Sequence, residues 1–526
     1  MKPFSRLLAL RFIYSPLLKF SVYLSYLRFK NGLSLQEKTQ KSILENLLKS
    51  LSSTPWGKSK LSGKKKNYSG LKEAFPLGHY SDWKHLIERE MGGERVLGDR
   101  PFLFQPTSGS SHEKKWIPYT PSLMKEFHEA IGPWLFDLFR QYPKIGKGRQ
   151  YWSLSWLPQE MRQLGITNDD LSYFPFFQRE ILNRCLCCPP SVSLAKTVEA
   201  SRLATCVYLV SCRDLSFIFI WGPTFLLELL ELIFERREAL IKMLENGDWG
   251  DKKDELSNVP PVKNLETATL LKSFSKKVNT KDIAQLWPEL ELISCWDTGT
   301  SALWALKLKE LFPKTNIQGK GLFATEAVVT IPFEGDYLLS YRSHFYEFRC
   351  LETGNVFPSW ELKEGQRVSP VISSGNGLFR YILKDELLVT TGKKGRLSLV
   401  FQGRTEGLDL VGEKLSEGVA RKILNELTLD KRKPISLLGF SVEVKRPFYL
   451  ALFEGEEIGE EELKTLENKG EKLLKEHFHY RLARELNQLD PLKVKVFPQA
   501  IEYYLNLKKK GGMVEGDIKI DLLTKV

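Results

Sequence analysis

Residues 215–235, LSFIFIWGPTFLLELLELIFE, decide the fold. The run Leu215–Trp221 is apolar, aromatic and too short for a helix, so it reads as a strand buried on both faces. Gly222-Pro223-Thr224 interrupts it, and Thr224 is placed to cap a helix over Phe225–Glu235. The same order recurs at Leu290–Ser294 followed by Ser301–Leu311. A strand followed by a helix, repeated, predicts an α/β sheet with helices packed on it.

Working outward toward the N-terminus, residues 36–53 place Leu44, Leu47, Leu48 and Leu51 on one side of a helix. The Lys-, Gly- and Ser-rich stretch from Ser53 to Tyr68 reads as a loop. Phe102-Leu103-Phe104 reads as a strand, and from Pro121 a helical pattern runs through Met124, Phe127, Ile131 and Leu135. Toward the C-terminus, residues 320–350 and 378–402 are strand-dominated, with Phe379–Leu383, Leu387–Thr390 and Leu397–Phe401 as separate runs. The character changes at about 403–412. Beyond it, a helix is expected after Gly412, Lys414 and Glu417, then strands Ser441–Lys445 and Phe448–Phe453 and an acidic stretch Glu454–Glu462. This predicts a large α/β domain over 1–405 and a small α+β domain over 406–526.

The 526 residues are 42% hydrophobic and 27% charged, enough to bury more than one core. The net charge of +13 suits an anionic ligand or surface. No basic run interleaves with aromatics and no zinc-finger spacing is present, so no nucleic-acid partner is expected. Seven cysteines, an odd number, point to reduced thiols and a cytoplasmic protein. Cys185, Cys187 and Cys188 have no second pair at zinc-ligand spacing. Residues 1–28 are rich in Leu, Phe and Tyr but are interrupted by Arg6, Arg11, Pro16, Lys19 and Arg28. They read neither as a signal peptide nor as an integral membrane segment, and packing on the protein's own core is expected.

Three segments carry candidate chemistry. Thr107-Ser108-Gly109-Ser110-Ser111, followed by Lys114 and Lys115, can surround phosphate oxygens with N–H groups, hydroxyls and a cation, although it is not a Walker loop. Gly321-Leu322-Phe323-Ala324-Thr325-Glu326 reads as an apolar strand ending in a hydroxyl and a carboxylate, a pair suited to Mg²⁺ held together with substrate phosphates. Asp385, at a strand end after Arg380-Tyr381, can accept both ribose hydroxyls of a nucleotide. Each also has an ordinary structural reading as a turn or strand end.

Taken in order, these segments resemble the auxin-responsive acyl acid–amido synthetases, a branch of the acyl-adenylate-forming superfamily, in a bacterial-type member. The resemblance rests on PTSGSSHEKKWIPYT (106–120), IWGPTFLLELL (220–230), WPELELISCWDTGTSA (287–302), GLFATEAVVTIPF (321–333), FYEF (345–348), GLFRYILKDELLVT (377–390), FQGRTEGLDLVGEKLSE (401–417) and GDIK (516–519). It implies a large N-terminal α/β domain with β-barrel character and a small mobile C-terminal domain. It also implies ATP and Mg²⁺ as cofactors, and an acyl acid and an amine, such as an amino acid, as small-molecule partners. By the same resemblance Ser108, Ser110 and Ser111 hold phosphate oxygens with Lys115 close by, and Thr325 lies at the α-phosphate. Glu326 holds Mg²⁺, Asp385 binds the ribose, and Lys519 neutralises charge during adenylation. The chain departs from the family at His112-Glu113, where small residues are usual, at Lys384, where glycine is usual, and at Gly222, where Asn is common. A thiol acceptor such as coenzyme A, or nucleotide binding without turnover, stands as the alternative.

Overall fold

The computed structural model describes residues 3–107, 115–153, 156, 176–298, 301–404, 407–408, 410, 413, 415, 417–429, 432, 434–440, 446–485, 489–510 and 518–526. The described residues form two compact units. One comprises the described parts of 1–107, 115–383 and 387–401, the other 384–386 with the described parts of 402–526.

The first unit begins with helix α1 (Pro3–Asn31), whose Leu18, Val22, Tyr26 and Phe29 recur at helical spacing and are buried in the core, Tyr26 against Phe136. Helix α2 (Gln36–Leu51) buries Leu44, Leu48 and Leu51 as its periodicity requires. The stretch read as a loop contains a further short helix, α3 (Pro55–Leu61). Thr54 caps it by accepting from the Gly57 N–H, and Pro55 occupies the position where a missing N–H costs nothing. Composition concealed this turn of helix because its stability lies in the cap.

Strands β1 (Leu103–Thr107) and β2 (Lys115–Tyr119) pair antiparallel, with Thr107 opposite Lys115. Helix α4 (Pro121–Gln141) follows directly, capped by the Thr120 hydroxyl. The α/β core is a parallel sheet in the order β3 (Arg149–Trp152), β4 (Leu215–Phe219), β5 (Leu292–Ser294), β6 (Asn316–Gln318). All five residues of β4 are buried, as expected of a strand covered on both faces. Between β3 and β4 lies helix α5 (Phe176–Cys185). Helix α6 (Pro223–Glu235) follows β4, and α7 (Ala302–Leu311) follows β5. Gly222 rather than Thr224 is the N-cap of α6: Pro223 starts the helix two residues earlier than expected, which leaves Thr224 buried in its first turn.

The strand-dominated region opens with the hairpin β7 (Thr330–Phe333) and β8 (Asp336–Leu339). The part expected to have β-barrel character is a six-stranded antiparallel sheet. Its path is β10 (Val356–Pro358), β9 (Phe345–Cys350), β11 (Arg367–Ser373), β13 (Asp385–Thr391) and β14 (Leu397–Arg404), with β12 (Tyr381–Ile382) pairing β11. All seven cysteines are buried free thiols. Among the described residues no helix is long and apolar enough to cross a membrane.

The second unit is a four-stranded mixed sheet in the order β17 (Lys493–Phe497), β16 (Phe448–Glu454), β15 (Ser436–Phe440), β18 (Leu523–Lys525). Helices α8 (Glu417–Glu426) and α9 (Glu460–Lys475) carry Ile423, Leu424, Leu466 and Leu474 into a core with Leu437, Tyr449 and Phe453. The strand expected at Ser441–Lys445 lies outside the described residues, and the described strand of that region is β15. The acidic stretch ends in the first turn of α9, where Glu460, Glu461 and Glu462 face the positive end of the helix dipole.

Candidate active site

The segment expected to be a strand ending in Thr325-Glu326 is instead a tight turn. Phe323 and Val328 form a single antiparallel bridge, and Ala324 and Ala327 exchange N–H···O=C bonds of 2.9 and 3.2 Å. Thr325 and Glu326 occupy the tip. A four-residue apolar run cannot reveal whether it continues as a strand or folds back after one bridge.

Four buried or half-buried side chains hold this turn. The Tyr119 hydroxyl, at the end of β2, donates to the Thr325 carbonyl at 3.2 Å. The Tyr381 hydroxyl on β12 donates to Glu326 Oε1 at 3.3 Å. At the base of the turn, the Val328 N–H donates to His344 Nε2 at 3.3 Å, and the Tyr346 hydroxyl donates to the Val328 carbonyl at 2.6 Å. Because Nε2 of His344 accepts, its proton is on Nδ1, which donates to Glu126 Oε2 of α4 at 2.8 Å. Glu126 also accepts from the Gly375 N–H at 2.8 and 3.0 Å, which ties the approach to β12 to the same helix. The fully buried Gln40 of α2 completes the support. Its amide donates to the carbonyls of Tyr341 and His344 and accepts from the Tyr346 N–H. Sequence reading found neither His344, Glu126 nor Gln40, because these partners lie between 218 and 306 residues apart.

Tyr381 itself is fixed by its neighbours. Arg380, at φ +51°, pairs with the fully buried Glu347 through three contacts of 2.9 to 3.2 Å and donates to the Phe75 carbonyl. Gly78 and the 380–382 backbone exchange two hydrogen bonds on the other side.

A second set of groups gathers just beyond the carboxyl ends of β4, β5 and β6, where open α/β sheets bind ligands. Lys320 is almost fully buried. Its ammonium lies 2.8 Å from the Phe219 ring centroid, 4.8 Å from that of Trp221 and 3.5 Å from the Ser294 hydroxyl. The Tyr337 hydroxyl lies 2.7 and 2.8 Å from the two oxygens of Asp297. Burial pushes the Asp297 carboxyl above its ordinary range, partly offset by the Tyr337 hydrogen bond. Burial likewise raises the Cys295 thiol to about 12, against the lowering effect of Lys320. Gly319 leaves room for this pair: a Cβ on it would come within 1.8 Å of the Tyr337 hydroxyl and 2.1 Å of Asp297, so one of them would have to shift. Trp221, Trp296 and Phe323 form an aromatic wall, with ring centroids 5.6 and 6.1 Å apart, and Phe323 belongs to the turn carrying Thr325 and Glu326. Lys320, between Gly319 and Gly321 at a strand end, was the visible signal that motif reading passed over.

Of the residues singled out from sequence, Lys115 lies at the start of β2, its Nζ 6.0 Å from the Tyr80 ring centroid. Thr325 and Glu326 share the turn tip, and hydrogen bonds join that turn to Tyr119 of Lys115's strand and to Tyr381. Ser108, Ser110 and Ser111, with His112, lie outside the described residues. Asp385 opens β13 and belongs to the second unit by its packing. Lys519 is also in the second unit, between the buried Ile518 and Ile520, and its carbonyl accepts from the Tyr504 hydroxyl at 3.3 Å.

The fold is that of the acyl-adenylate-forming enzymes. The fold matches that of "GH3.15 acyl acid amido synthetase" with a TM-score of 0.76 at 17% identity, covering 94% of this chain and 92% of the other. A structure titled "AtGH3.15 acyl acid amido synthetase in complex with 2,4-DB" gives 0.75 at 18% identity, covering 94% of each chain. A 2-hydroxyisobutyryl-CoA ligase in the postadenylation state gives 0.50 at 12%, covering 90% and 91%. The GH3 family N-terminal domain matches residues 28–317 and the GH3 family central domain matches residues 337–404. The chain therefore belongs to the GH3 family, whose members are ATP-dependent ligases working through an acyl-adenylate. The two acyl acid amido synthetase structures are of plant origin and lend no support to the narrower bacterial-type reading. No curated protein matches the chain by sequence. Ser108–Ser111 and Lys115 fall inside the first matched span and Asp385 inside the second, whereas Thr325, Glu326 and Lys519 fall outside both.

Proposed function

We propose that this chain joins a carboxylic acid to an amine, an amino acid being the favoured acceptor. The observation that carries the reading is the convergence of β2, the Thr325–Glu326 turn and Tyr381 through hydrogen bonds within one unit of a GH3-family chain. In the first half-reaction a carboxylate oxygen bonds to the α-phosphorus of ATP while the bond to pyrophosphate breaks. In the second, the amine nitrogen bonds to the acyl carbon, AMP leaves, and the nitrogen gives up a proton.

Bringing two anions together requires pre-aimed donors and positive charge. Ser108, Ser110 and Ser111 are assigned to phosphate oxygens, Lys115 to their charge, Thr325 to the α-phosphate and Asp385 to the ribose. Lys519 is assigned to the first half alone. A single carboxylate, oriented through Oε1 by Tyr381 and placed beside a threonine, is the donor set Mg²⁺ accepts when substrate phosphates supply the remaining ligands. Glu326 is therefore the residue assigned to hold it, and the ion, when bound, supplies charge to the phosphate oxygens. The acyl acid is assigned to the crevice beyond β4–β6, with its body against Trp221, Trp296 and Phe323 and Lys320 supplying charge near its carboxylate. An amide rather than a thioester product is favoured by the closer match to the amido synthetases than to the CoA ligase.

The test is pyrophosphate release from ATP with a panel of carboxylic acids, followed by addition of amino acids or coenzyme A. Release with amide formation supports the reading, and thioester formation alone replaces it. Lys519→Ala is expected to lower pyrophosphate release and to spare amide formation from a supplied acyl-adenylate. Equal losses would remove its assignment to the first half.

A further inference from the structure

Among its described side chains, from Pro16 onward, helix α1 is apolar on two faces, and only one of them is covered. Leu18, Val22, Tyr26 and Phe29 face the core at 5% exposure or less. Leu17, Phe20, Tyr23 and Leu24 point outward at 40, 77, 39 and 67%. A helix that is hydrophobic all round is normally buried all round. The neighbouring helix α5 enlarges the outer face. Gln178 donates to the Ser21 hydroxyl at 3.2 Å, which brings Phe177, 59% exposed, beside the same surface. Five of the eleven large apolar side chains exposed among the described residues are thus gathered here. Single exposed apolar residues need no explanation, but a cluster of five marks a surface that something covers.

Charge identifies what covers it. Residues 1–36 contain Lys2, Arg6, Arg11, Lys19, Arg28 and Lys30 and no acidic residue, the first being Glu37. Arg28 and Lys30 engage Glu129 and Glu334 at 3.3 and 4.0 Å, yet their side chains remain 54 and 48% exposed. Such a segment is attracted to a negatively charged surface. A second copy meeting the same face about a two-fold axis would set cation against cation. Among the described residues no helix can cross a bilayer, so the apolar face is suited to lying in the headgroup boundary, flanked by basic residues.

We propose that the outer face of α1, with Phe177, docks this protein on membranes rich in anionic lipid. The inference does not depend on the reaction assigned above. It is tested by co-flotation of the full chain with phosphatidylcholine vesicles, with or without about 30% phosphatidylglycerol, at low and high salt. Binding is expected only to the anionic vesicles and is expected to weaken with salt. Phe20→Ser with Leu24→Ser should reduce it by about tenfold or more. These side chains are mostly exposed, so the variant should keep the wild-type melting temperature and, without vesicles, its pyrophosphate release. Arg6→Glu with Arg11→Glu should weaken binding independently. Absence of anionic-vesicle binding, equal binding to neutral vesicles, or wild-type flotation of the Phe20/Leu24 variant overturns the proposal. A dimer in sedimentation that this variant dissolves would give the face to a second copy and overturn it equally.

Discussion

The two larger sheets built from the first unit are stabilised in different ways. The parallel sheet β3–β6 buries apolar side chains with a few neutral polar ones, Gln150, Ser216 and Ser294, and its charged groups stand at or beyond strand ends, Arg149 with Asp214 on one side and Asp297 and Lys320 on the other. The antiparallel sheet carries charge inside it: Glu347 of β9 faces Arg380, and His344, immediately before β9, faces Glu126. Apolar packing is non-directional and tolerates small shifts, whereas a buried charge pair fails when one partner is lost. The antiparallel sheet is also the one whose hydrogen bonds reach the Thr325–Glu326 turn. Positional accuracy at the site is therefore expected to come from buried polar contacts, with bulk stability shared by both sheets.

The most severe test of this contrast is Glu347→Ala, which leaves the Arg380 guanidinium buried without its carboxylate and should cost about 3–5 kcal/mol in chemical denaturation. A loss below about 1 kcal/mol, the range of exposed pairs, would erase the difference between the sheets. Next, Glu326→Gln should lower pyrophosphate release by about 10²–10³ with the melting temperature unchanged, because an amide is a poor ligand for Mg²⁺. Near-wild-type release would remove the turn from the site.

His344 separates positioning from stability. In His344→Gln the side-chain oxygen reaches where Nε2 lay and still accepts from Val328. In His344→Asn the amide keeps only the bond toward Glu126. The Asn variant should therefore be the slower enzyme, by a factor equivalent to about 1–3 kcal/mol for an unsatisfied buried N–H. Equal kcat and ATP KM in the two variants would make His344 a stability element only.

The smallest effect is expected on the parallel side. Burial raises the Asp297 pKa above its unfolded value of about 3.9, so its contribution to stability is full below that pH and is lost as pH rises through the folded value. Asp297→Asn keeps an oxygen for Tyr337 and removes the ionisation. Its melting temperature should gain on wild type between pH 4 and 8, and a constant difference across that range would contradict the assigned direction.

The α/β core was legible because β4 and α6 announce themselves through unbroken apolar runs and a glycine–proline break, signals carried by adjacent residues. The same holds for α2 and α4, whose periodicity named the buried leucines and Phe127. The helix at Pro55–Leu61 was hidden because one threonine hydroxyl decides it. The fold of residues 323–328 was hidden because a strand and a one-bridge turn share a composition. The candidate site stood in the sequence only as isolated hydroxyls and carboxylates along the chain. What joins them is Tyr119 to Thr325, Tyr381 to Glu326 and His344 to Val328, pairings that folding brings together across distances at which no sequence pattern repeats.

The close approach at Gly319 has a consequence for how such a crevice can diversify. Any side chain there would displace Asp297 or Tyr337, so thickening this stretch of wall disturbs their hydrogen bond. Trp221 and Trp296 stand on segments with no such obstruction described, and each can be shortened without a backbone collision. On the proposed assignment of this crevice to the acyl acid, a lineage changing its acid would find its accessible steps at the two tryptophans, with position 319 acting as a ratchet that holds one side of the crevice constant while the other is remodelled.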